Sequence, residues 1–296
     1  MEGLERLATR LENARAVEPI VSALRTIALG NRLAAINRAR MVAEYCRELL
    51  NVLPWVAPCP GDSHPAWCSQ GERGGHLHLL VVGSERGLCG AFNDTVAAHA
   101  RQILARHTAA GVEVTLMSLG RQAQQALRRQ GWLPVLSSKL SGTALPPYEL
   151  AREITLEWLG ACEKGEMGAV DVVYNTRRGM AGYSPTTTRL LPLELPAGTA
   201  EESPSPPIID TEPMALCRRV ARLWLAAVFY GILLDSAAAE HSARYQLLEG
   251  ASQNAQRMIE ELNLSLQVAR QEAITAEVQD LASGAGLIGP LPGRES

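Results

Sequence analysis

The sequence predicts an α/β fold in which two long terminal helices flank a central domain of alternating strands and helices. Proline is almost absent from the first 53 residues and wholly absent between Pro213 and Pro290, and both regions repeat apolar residues at steps of three and four. Between residues 76 and 195, short apolar runs alternate instead with helical patterns. We therefore predict that the terminal helices form an antiparallel coiled coil around an inserted α/β domain.

The first helix is predicted over residues 1–53, where one narrow apolar stripe follows the helical period. Pro19 interrupts this pattern, since proline removes one backbone hydrogen bond and clashes with the preceding turn. We expect the helix to kink or split near Glu18. The stripe consists of Leu4, Leu7, Leu11, Ala14, Val17, Val21, Leu24 and Ala28.

The central region is predicted to be a Rossmann-like α/β domain at residues 76–195, preceded by a loop at 54–75 and followed by a proline-rich linker at 196–210. Its alternating patterns predict helices between most of the strands. The strands are predicted at 76–84, 112–120, 132–139, 169–179 and 183–195, and the helices at 91–107, 121–131 and 148–166.

The last helix is predicted over residues 211–287, with a short tail at 288–296. About 75 helical residues at about 1.5 Å each would span roughly 110 Å, which is more than the width of a compact domain of this mass. The helix must therefore project from the body or be covered by a partner. Its stripe consists of Leu247, Ala251, Ala255, Met258, Leu262, Leu266, Ala269, Ala273 and Ala276.

Composition favours a soluble intracellular protein. Apolar residues make up 47% of the chain, which suffices for a buried core, whereas aromatic residues make up only 4% and the net charge is −3. These values argue against a nucleic-acid interface, which needs basic and aromatic side chains. The sequence shows no export signal and no apolar run of the roughly 20 residues that a membrane helix requires. Six cysteines in 296 residues do not indicate a disulfide scaffold.

A glycine-rich stretch, "VVGSERGLCGAFND" at residues 81–94, is the first candidate for chemistry. A phosphate-binding loop would need Lys and Ser or Thr after its last glycine, and the dinucleotide fingerprint needs a different glycine spacing. A reactive Cys89 beside Arg86 is a second possibility. The third is a tight strand-to-helix turn, in which Gly87 and Gly90 allow the bend, Leu88 and Cys89 pack beneath it and Arg86 is exposed.

The segment 58–78 is a second candidate, because its cysteines and histidines are potential zinc ligands. Structural zinc sites usually contain cysteine pairs two to four residues apart, whereas eight residues separate Cys59 from Cys68. A loop with incidental Cys and His, or a redox-controlled Cys59–Cys68 disulfide, are the alternatives. We therefore predict neither a metal nor a cofactor. The potential ligands are Cys59, His64, Cys68, His76 and His78.

Polar residues of the last helix form the third candidate. At their spacings they wind around several helix faces and cannot converge on one substrate, so they do not form an acid–base pair. They belong either to a solvated face or to a row of contacts with a large partner. These residues are Glu240, His241, Arg244, Asn254, Asn263, Arg270, Gln271, Thr275, Glu277 and Asp280.

Three segments together resemble the gamma subunit family of F-type ATP synthases. The first is "IVSALRTIALGNRLAAINRAR" at 20–40, in which Ile20, Ala23 and Ala28 agree with the family pattern and Leu24 and Arg25 are close substitutes. The second is the glycine-rich stretch at 81–94, in which the residues that agree are Ser84, Arg86, Gly87, Leu88, Cys89, Gly90 and Asn93. The third contributes Ser236, Glu240, Arg244, Asn254, Ala255, Arg270, Gln271, Ile274, Thr275, Glu277, Gly284 and Ala285.

The resemblance implies a non-catalytic rotor shaft. The coiled coil would lie inside a ring of three alpha and three beta subunits, and the α/β domain would lie near the epsilon subunit and the membrane ring of c subunits, at the cytoplasmic face of a bacterial plasma membrane. Neither a cofactor nor a nucleic-acid partner is implied. The implied partner contacts are Leu24, Arg25, Arg86, Gly87, Leu88, Glu240, Arg244, Asn254, Arg270, Gln271, Thr275 and Glu277.

The sequence also departs from the family pattern at Pro19 and in the diluted basic character of "NRLAAINRAR". Two other functions remain open at the level of sequence. One is an enzyme that binds a nucleotide through its α/β domain, and the other is a coiled-coil scaffold unrelated to ATP synthases.

Overall fold

The computed structural model describes residues 2–56, 66–68, 76–141, 144–179, 182–193 and 210–285. The chain divides into two compact units, one made of Met1–Arg25 with Leu248–Ser296 and the other of Thr26–Leu247. The helices are α1 (Glu2–Val56), α2 (Phe92–Ala109), α3 (Arg121–Arg129), α4 (Tyr148–Glu163) and α5 (Pro213–Gly284). The strands are β1 (His76–Val82), β2 (Glu113–Leu119), β3 (Leu136–Ser138), β4 (Ala169–Arg178) and β5 (Gly182–Leu191).

The unit Thr26–Leu247 contains a five-stranded sheet with the order β3-β2-β1-β4-β5. The first four strands are parallel, and β5 returns antiparallel beside β4. The central strand β1 is an unbroken apolar run from Leu79 to Val82, and all four of these side chains are buried. Such a run is typical of a strand covered by helices on both faces.

Helices cover both faces of this sheet, and successive side chains of β1 point to opposite faces. Leu79 and Val81 point to the face covered by α2 and α3, where they share a core cluster with buried residues of both helices. Leu80 and Val82 point to the opposite face, which is covered by α4 and the first part of α5. The mixed α/β class predicted from the sequence is therefore confirmed.

Helix α5 corrects one expectation about apolar runs. By length and composition over an 18-residue window, it is apolar enough to cross a membrane, and 61% of that window is buried inside the protein. Its residues Leu225, Phe229 and Leu233 are at most 1% exposed within the core cluster on the α4 face. The apolar run is thus used as a core helix of the α/β domain.

The unit formed by the chain ends consists of the start of α1 packed against the end of α5. Leu11 shares a cluster with Leu262 and Leu266, and Arg25 forms an ion pair with Glu249 at 3.1 Å. Residue numbers rise along α1 while those of the contacted residues fall along α5, so the two segments are antiparallel.

Of the two outcomes expected near Glu18, a split of α1 is wrong, because the helix continues through Pro19, and a kink stays a prediction. Contacts with α5 hold the chain on both sides of the proline. Arg15 Nη2 donates to Asn263 Oδ1 at 2.9 Å, and the Glu18 carboxylate accepts hydrogen bonds from Ser252 Oγ at 3.3 Å and Gln256 Nε2 at 3.4 Å. These contacts offset the single backbone hydrogen bond that proline removes.

Several boundaries also differ from those predicted. The third strand is reduced to three exposed residues, Leu136–Ser138, and α1 extends to Val56. Most of the predicted loop at 54–75, nearly all of the linker at 196–210 and the tail at 288–296 lie outside the described residues. The division into domains at these points therefore stays a prediction.

Candidate functional site

The candidate site is the loop from Gly83 to Ala91, which joins β1 to α2 and packs against α5. Cys89 is buried as predicted, in a cluster with Phe92, Ala239 and Ala243. The prediction that Leu88 is packed beneath the loop is wrong, because Leu88 is 55% exposed. With φ at 61°, Leu88 adopts the left-handed conformation, which turns its side chain outward while Cys89 faces the core.

Of the two glycines predicted to allow the bend of this loop, only Gly90 has the backbone conformation that requires glycine. Gly90 has a φ of 60°, as a tight turn requires, but Gly87 is not among the residues with positive φ in the described part of the chain. Gly83 is needed for close approach, because a Cβ there would lie 2.6 Å from both Ala123 Cβ and Asn93 Oδ1. The sharp turn thus depends on Gly83, Leu88 and Gly90 rather than on Gly87.

Asn93 holds the loop from inside. Its Oδ1 accepts a hydrogen bond from the Ser84 backbone N–H at 2.9 Å, and its Nδ2 donates to Ser84 Oγ at 2.8 Å and to Cys89 Sγ at 3.3 Å. Burial raises the pKa of the Cys89 thiol, although the hydrogen bonds from Ser84 and Asn93 oppose this shift. Cys89 therefore stays a protonated, buried thiol at neutral pH, which argues against a reactive nucleophile.

Arg244 of α5 fastens the loop from outside. Its Nη2 donates to the backbone carbonyl of Gly87 at 3.2 Å and to that of Arg86 at 3.3 Å. The same guanidinium forms an ion pair with Glu240 Oε1 at 2.6 Å, one helical turn earlier. The loop presents carbonyl oxygens to a cation here, whereas a phosphate site presents N–H groups to an anion. This geometry argues against a nucleotide site.

The charged side chains beneath the loop are largely buried. The side chains of Glu240 and Arg244 are 15% and 12% exposed. Burial raises the pKa of Glu240, and the charge and hydrogen bond of Arg244 lower it in opposition. Burial, followed by the Arg244 charge, lowers the pKa of His241 to about 4. His241 is therefore neutral at physiological pH, and its Nδ1 accepts a hydrogen bond from Arg244 Nη1 at 3.1 Å.

Five of the predicted contact residues therefore meet in one place, and the remainder belong to the other compact unit. The site contains Glu240, Arg244 and the loop residues Arg86, Gly87 and Leu88, with the Arg86 side chain exposed. Sequence reasoning missed the roles of Asn93 and Gly83, although both lie in the stretch it had singled out. The residues outside this site are Leu24, Arg25, Asn254, Arg270, Gln271, Thr275 and Glu277.

In the other compact unit, the predicted contacts on α5 are exposed. Arg270, Gln271, Thr275 and Glu277 all lie on a stretch in which every side chain from 270 to 281 is exposed. Thr275 Oγ1 donates to the Gln271 carbonyl at 2.7 Å, which is a local contact within the helix. These side chains are thus accessible to a partner.

The described histidines and cysteines do not assemble a metal centre. Within the described ranges, no group of three His, Cys, Asp or Glu side chains could hold a metal ion. His76 bonds instead to Thr115 Oγ1 at 2.6 Å and to Glu113 Oε2 at 3.3 Å, and Cys68 is buried in the core as a free thiol. Cys59 and His64 lie outside the described residues, and so does the proposed Cys59–Cys68 disulfide.

Replacing Asn93 with alanine is expected to destabilise the chain by about 2 kcal/mol, because the buried Ser84 N–H and hydroxyl lose their shared partner. Urea denaturation of the full chain measures this change. Thr95→Ala is the matched control, since the half-buried Thr95 hydroxyl donates to the Ala91 carbonyl one turn away and takes no part in the Ser84 hydrogen bonds. Equal midpoints for Asn93→Ala and Thr95→Ala would contradict the assignment.

The chain resembles known proteins along nearly its whole length. A family model described as ATP synthase matches residues 3–286. The ATP synthase gamma chain of Methylorubrum populi is 30% identical over 293 residues, covering 96% of this chain and 99% of that protein. The ATP synthase gamma chain of Pelotomaculum thermopropionicum is 28% identical over 289 residues, covering 97% and 100%.

Solved structures agree at the level of the fold. A chain of the Euglena gracilis mitochondrial ATP synthase, in a structure of OSCP, F1 and the c-ring, has a TM-score of 0.62 at 17% identity, with 100% of this chain and 99% of that chain covered. A chain of the Tetrahymena thermophila mitochondrial ATP synthase, in a structure of the central stalk and c-ring, has a TM-score of 0.56 at 20% identity and covers 79% of this chain and 99% of that one.

Proposed function

Because this chain belongs to the ATP synthase gamma family, we propose that it is the central rotor shaft of an F-type ATP synthase. In this role it couples ion flow through a membrane ring to ATP synthesis or hydrolysis on other subunits. The observation that carries the proposal is the match over residues 3–286, together with gamma chains that align along nearly their whole length.

The chain is not itself catalytic, since the reaction takes place on other subunits. The chemistry of the loop site is consistent with this role. The Glu240 carboxylate is paired with Arg244, the Cys89 thiol is protonated, and the other hydrogen bonds of the guanidinium go to the Arg86 and Gly87 carbonyls and to His241 Nδ1. The groups at this site thus bind one another and position a loop.

Two finer features of the fold are part of the proposal. We infer a coiled coil between the chain ends. The cluster of Leu11 with Leu262 and Leu266, which are four residues apart on α5, supports it. We also infer that the sheet is Rossmann-like. The order β3-β2-β1-β4-β5, with helices on both faces, supports this classification, because it matches the order of doubly wound sheets.

The proposed partners are a ring of three alpha and three beta subunits, an epsilon subunit and a ring of c subunits, at the cytoplasmic face of a bacterial plasma membrane. Exposed apolar side chains at helical spacing support a covering partner. On α1 they include Val17 at 52% and Ile20 at 60% exposed, and on α5 Ile274 at 61% and Val278 at 57%. Solvent alone would not favour two such stripes.

The test is reconstitution with the alpha and beta subunits encoded by the same organism. We expect one copy of this chain to co-purify with three of each, and ATP hydrolysis to rotate a bead attached to the chain. Association without rotation would favour a scaffold instead. Stoichiometric ATP binding to the chain alone would favour the nucleotide-binding enzyme.

The same rotation assay tests the contacts predicted at the end of α5. We expect Arg270→Ala with Gln271→Ala to shorten or lengthen the dwells between steps by about two- to fivefold, because each exposed polar contact contributes about 1 kcal/mol or less. Gln267→Ala is the matched control, as this exposed side chain lies one turn earlier on the same helix. Dwell times equal to those of the unmodified chain would rule out the predicted role of Arg270 and Gln271.

A further inference from the structure

A groove of about 500 Å³ lies between α1 and α5 within the unit Thr26–Leu247, on the side of the sheet next to Tyr174 of β4. The two helices approach closely above and below it, where Ala35 packs on Ala238 and where Leu49 joins the core. The groove opens between these contacts because small side chains line it on both helices. These are Ala39 and Ala43 on α1, and Ala227 and Gly231 on α5.

The walls of the groove are mainly apolar. Its volume falls within the roughly 300–1,000 Å³ typical of small-molecule pockets, which combine apolar walls with a few polar groups. The larger side chains on its walls are Val42, Cys46, Leu50, Tyr174, Val228 and Ile232. A flexible alkyl chain matches such walls, since it removes apolar surface from water without requiring hydrogen bonds.

A smaller cavity of about 200 Å³ continues the groove, because Ala39 and Asp235 line both. Arg40 of α1 and Arg177 at the end of β4 line this smaller cavity. Neither guanidinium has a hydrogen bond or ion pair within the part of the chain that the structure describes. The apolar groove thus leads to two cationic groups that converge from different elements.

The charges that line the two cavities favour an anion. Arg40, Arg47 and Arg177 contribute three positive charges, and Asp235 contributes one negative charge. Asp235 is already engaged, since its Oδ2 accepts a hydrogen bond from Thr176 Oγ1 at 2.5 Å. Guanidinium groups bind carboxylates and phosphates through paired charge-assisted hydrogen bonds.

From this geometry we infer that the groove binds a single-chain anionic amphiphile. Its alkyl chain lies between α1 and α5, and its carboxylate or phosphate head lies between Arg40 and Arg177. The inference rests on the lining of one compact unit and is independent of the proposed role as a rotor.

Decanoate is the probe, and Cys46 is a natural reporter inside the groove. Cys46 is half-buried, whereas Cys68, Cys89, Cys162 and Cys217 are buried. Full-length chain carrying Cys59→Ser is treated with N-ethylmaleimide, and the alkylation rate of Cys46 is followed by mass spectrometry. We expect decanoate to slow this alkylation several-fold and saturably. Decyltrimethylammonium, which has the same alkyl chain and the opposite charge, should leave the rate unchanged.

Variants at the arginines test whether the anionic head of the ligand binds between them. Arg40→Ala with Arg177→Ala should weaken decanoate binding roughly tenfold or more through the lost charge-assisted hydrogen bonds. Arg178→Ala is the matched control, because Arg178 neighbours the site in sequence but bonds to Ser184 Oγ at 2.8 Å. Isothermal titration calorimetry measures each affinity.

A larger side chain in the groove tests the position of the ligand's alkyl chain. Gly231→Leu should abolish protection of Cys46, and a Cβ at this position would lie 3.7 Å from Val42 Cγ1, which is an ordinary contact. Ala43→Leu fills the groove from the exposed side of α1 and serves where Gly231→Leu fails to fold. The inference is overturned if decanoate leaves Cys46 alkylation unchanged, if both amphiphiles protect equally, or if the double arginine variant binds decanoate as the unmodified chain does.

Discussion

Arg244→Ala is expected to destabilise the chain by about 3 kcal/mol or more and to release the loop from Gly83 to Ala91. The substitution removes the donors to the Arg86 and Gly87 carbonyls and leaves the Glu240 carboxylate buried without its cation. Removing one partner of a buried ion pair is costly because the other charge keeps its desolvation penalty. Urea denaturation measures the stability, and hydrogen exchange of the loop amides measures its release.

The destabilisation by Arg244→Ala should depend on pH. Burial raises the pKa of Glu240, and Arg244 opposes that shift, so the variant should raise this pKa further. When the pKa of a carboxyl is higher in the folded state, the folded protein loses stability as pH rises through that folded pKa. It regains this stability as pH falls towards the unfolded pKa of about 4.3. The difference in stability between the variant and the unmodified chain should therefore shrink as pH falls from neutral towards about 4.3. In the unmodified chain His241 has a pKa of about 4 and is neutral over most of this range, whereas Arg244→Ala removes one of the two causes that lower this pKa.

Two controls isolate the ion pair. Arg86→Ala keeps the backbone carbonyl that Arg244 binds and removes only an exposed side chain, so it should change stability by less than about 0.5 kcal/mol. Glu240→Gln combined with Arg244→Ala removes both charges and should recover much of the loss. A double variant as unstable as Arg244→Ala alone would show that the buried charge is not the cause.

Gly83→Ala is expected to destabilise the chain by about 3 kcal/mol or more and to shift α3 away from the loop. The added Cβ would lie 2.6 Å from Ala123 Cβ and 2.6 Å from Asn93 Oδ1, so either α3 or the Asn93 side chain must move. Moving Asn93 breaks its hydrogen bonds to Ser84, and overpacking at a buried site is costly in itself. Thermal unfolding followed by circular dichroism measures the effect.

Gly87→Ala, in the same loop, is the matched comparison. A Cβ at Gly87 meets nothing within 4 Å, and its φ does not require glycine. We expect a change in stability of less than about 0.5 kcal/mol. A large loss of stability with Gly87→Ala and a small one with Gly83→Ala would contradict this assignment. It would support the turn at Gly87 that the sequence alone predicts.

Much of the architecture follows from local patterns. The unbroken apolar run at Leu79–Val82 and the helical period after Phe92 depend only on neighbouring residues, so strand and helix could be predicted there. The family could also be recognised, because its motif residues keep their order along the chain. Pro19 misled the prediction, since the contacts that hold the helix around it come from α5, more than 200 residues away in sequence.

The arrangement of the site was beyond such patterns. Arg244 reaches the Gly87 carbonyl across 157 residues, and helical spacing alone cannot tell a solvated arginine from one that binds a loop. The backbone of Leu88 is equally opaque to sequence reasoning, because leucine rarely adopts a positive φ and Gly87 beside it offers the simpler turn. Gly83 could have been found as a close-approach glycine, since it ends a buried strand beside a helix.

The exposed stretch of α5 from Arg270 to Leu281 has a consequence for the life of the protein in the cell. Every side chain along it is exposed, including Ile274, Val278 and Leu281, so tertiary packing adds little to the stability of this end of the helix. A copy outside the proposed assembly therefore exposes an apolar helix end that proteases can reach, whereas burial against the proposed partners would protect it. Selective degradation of surplus copies would thereby match the amount of this chain to that of its partners.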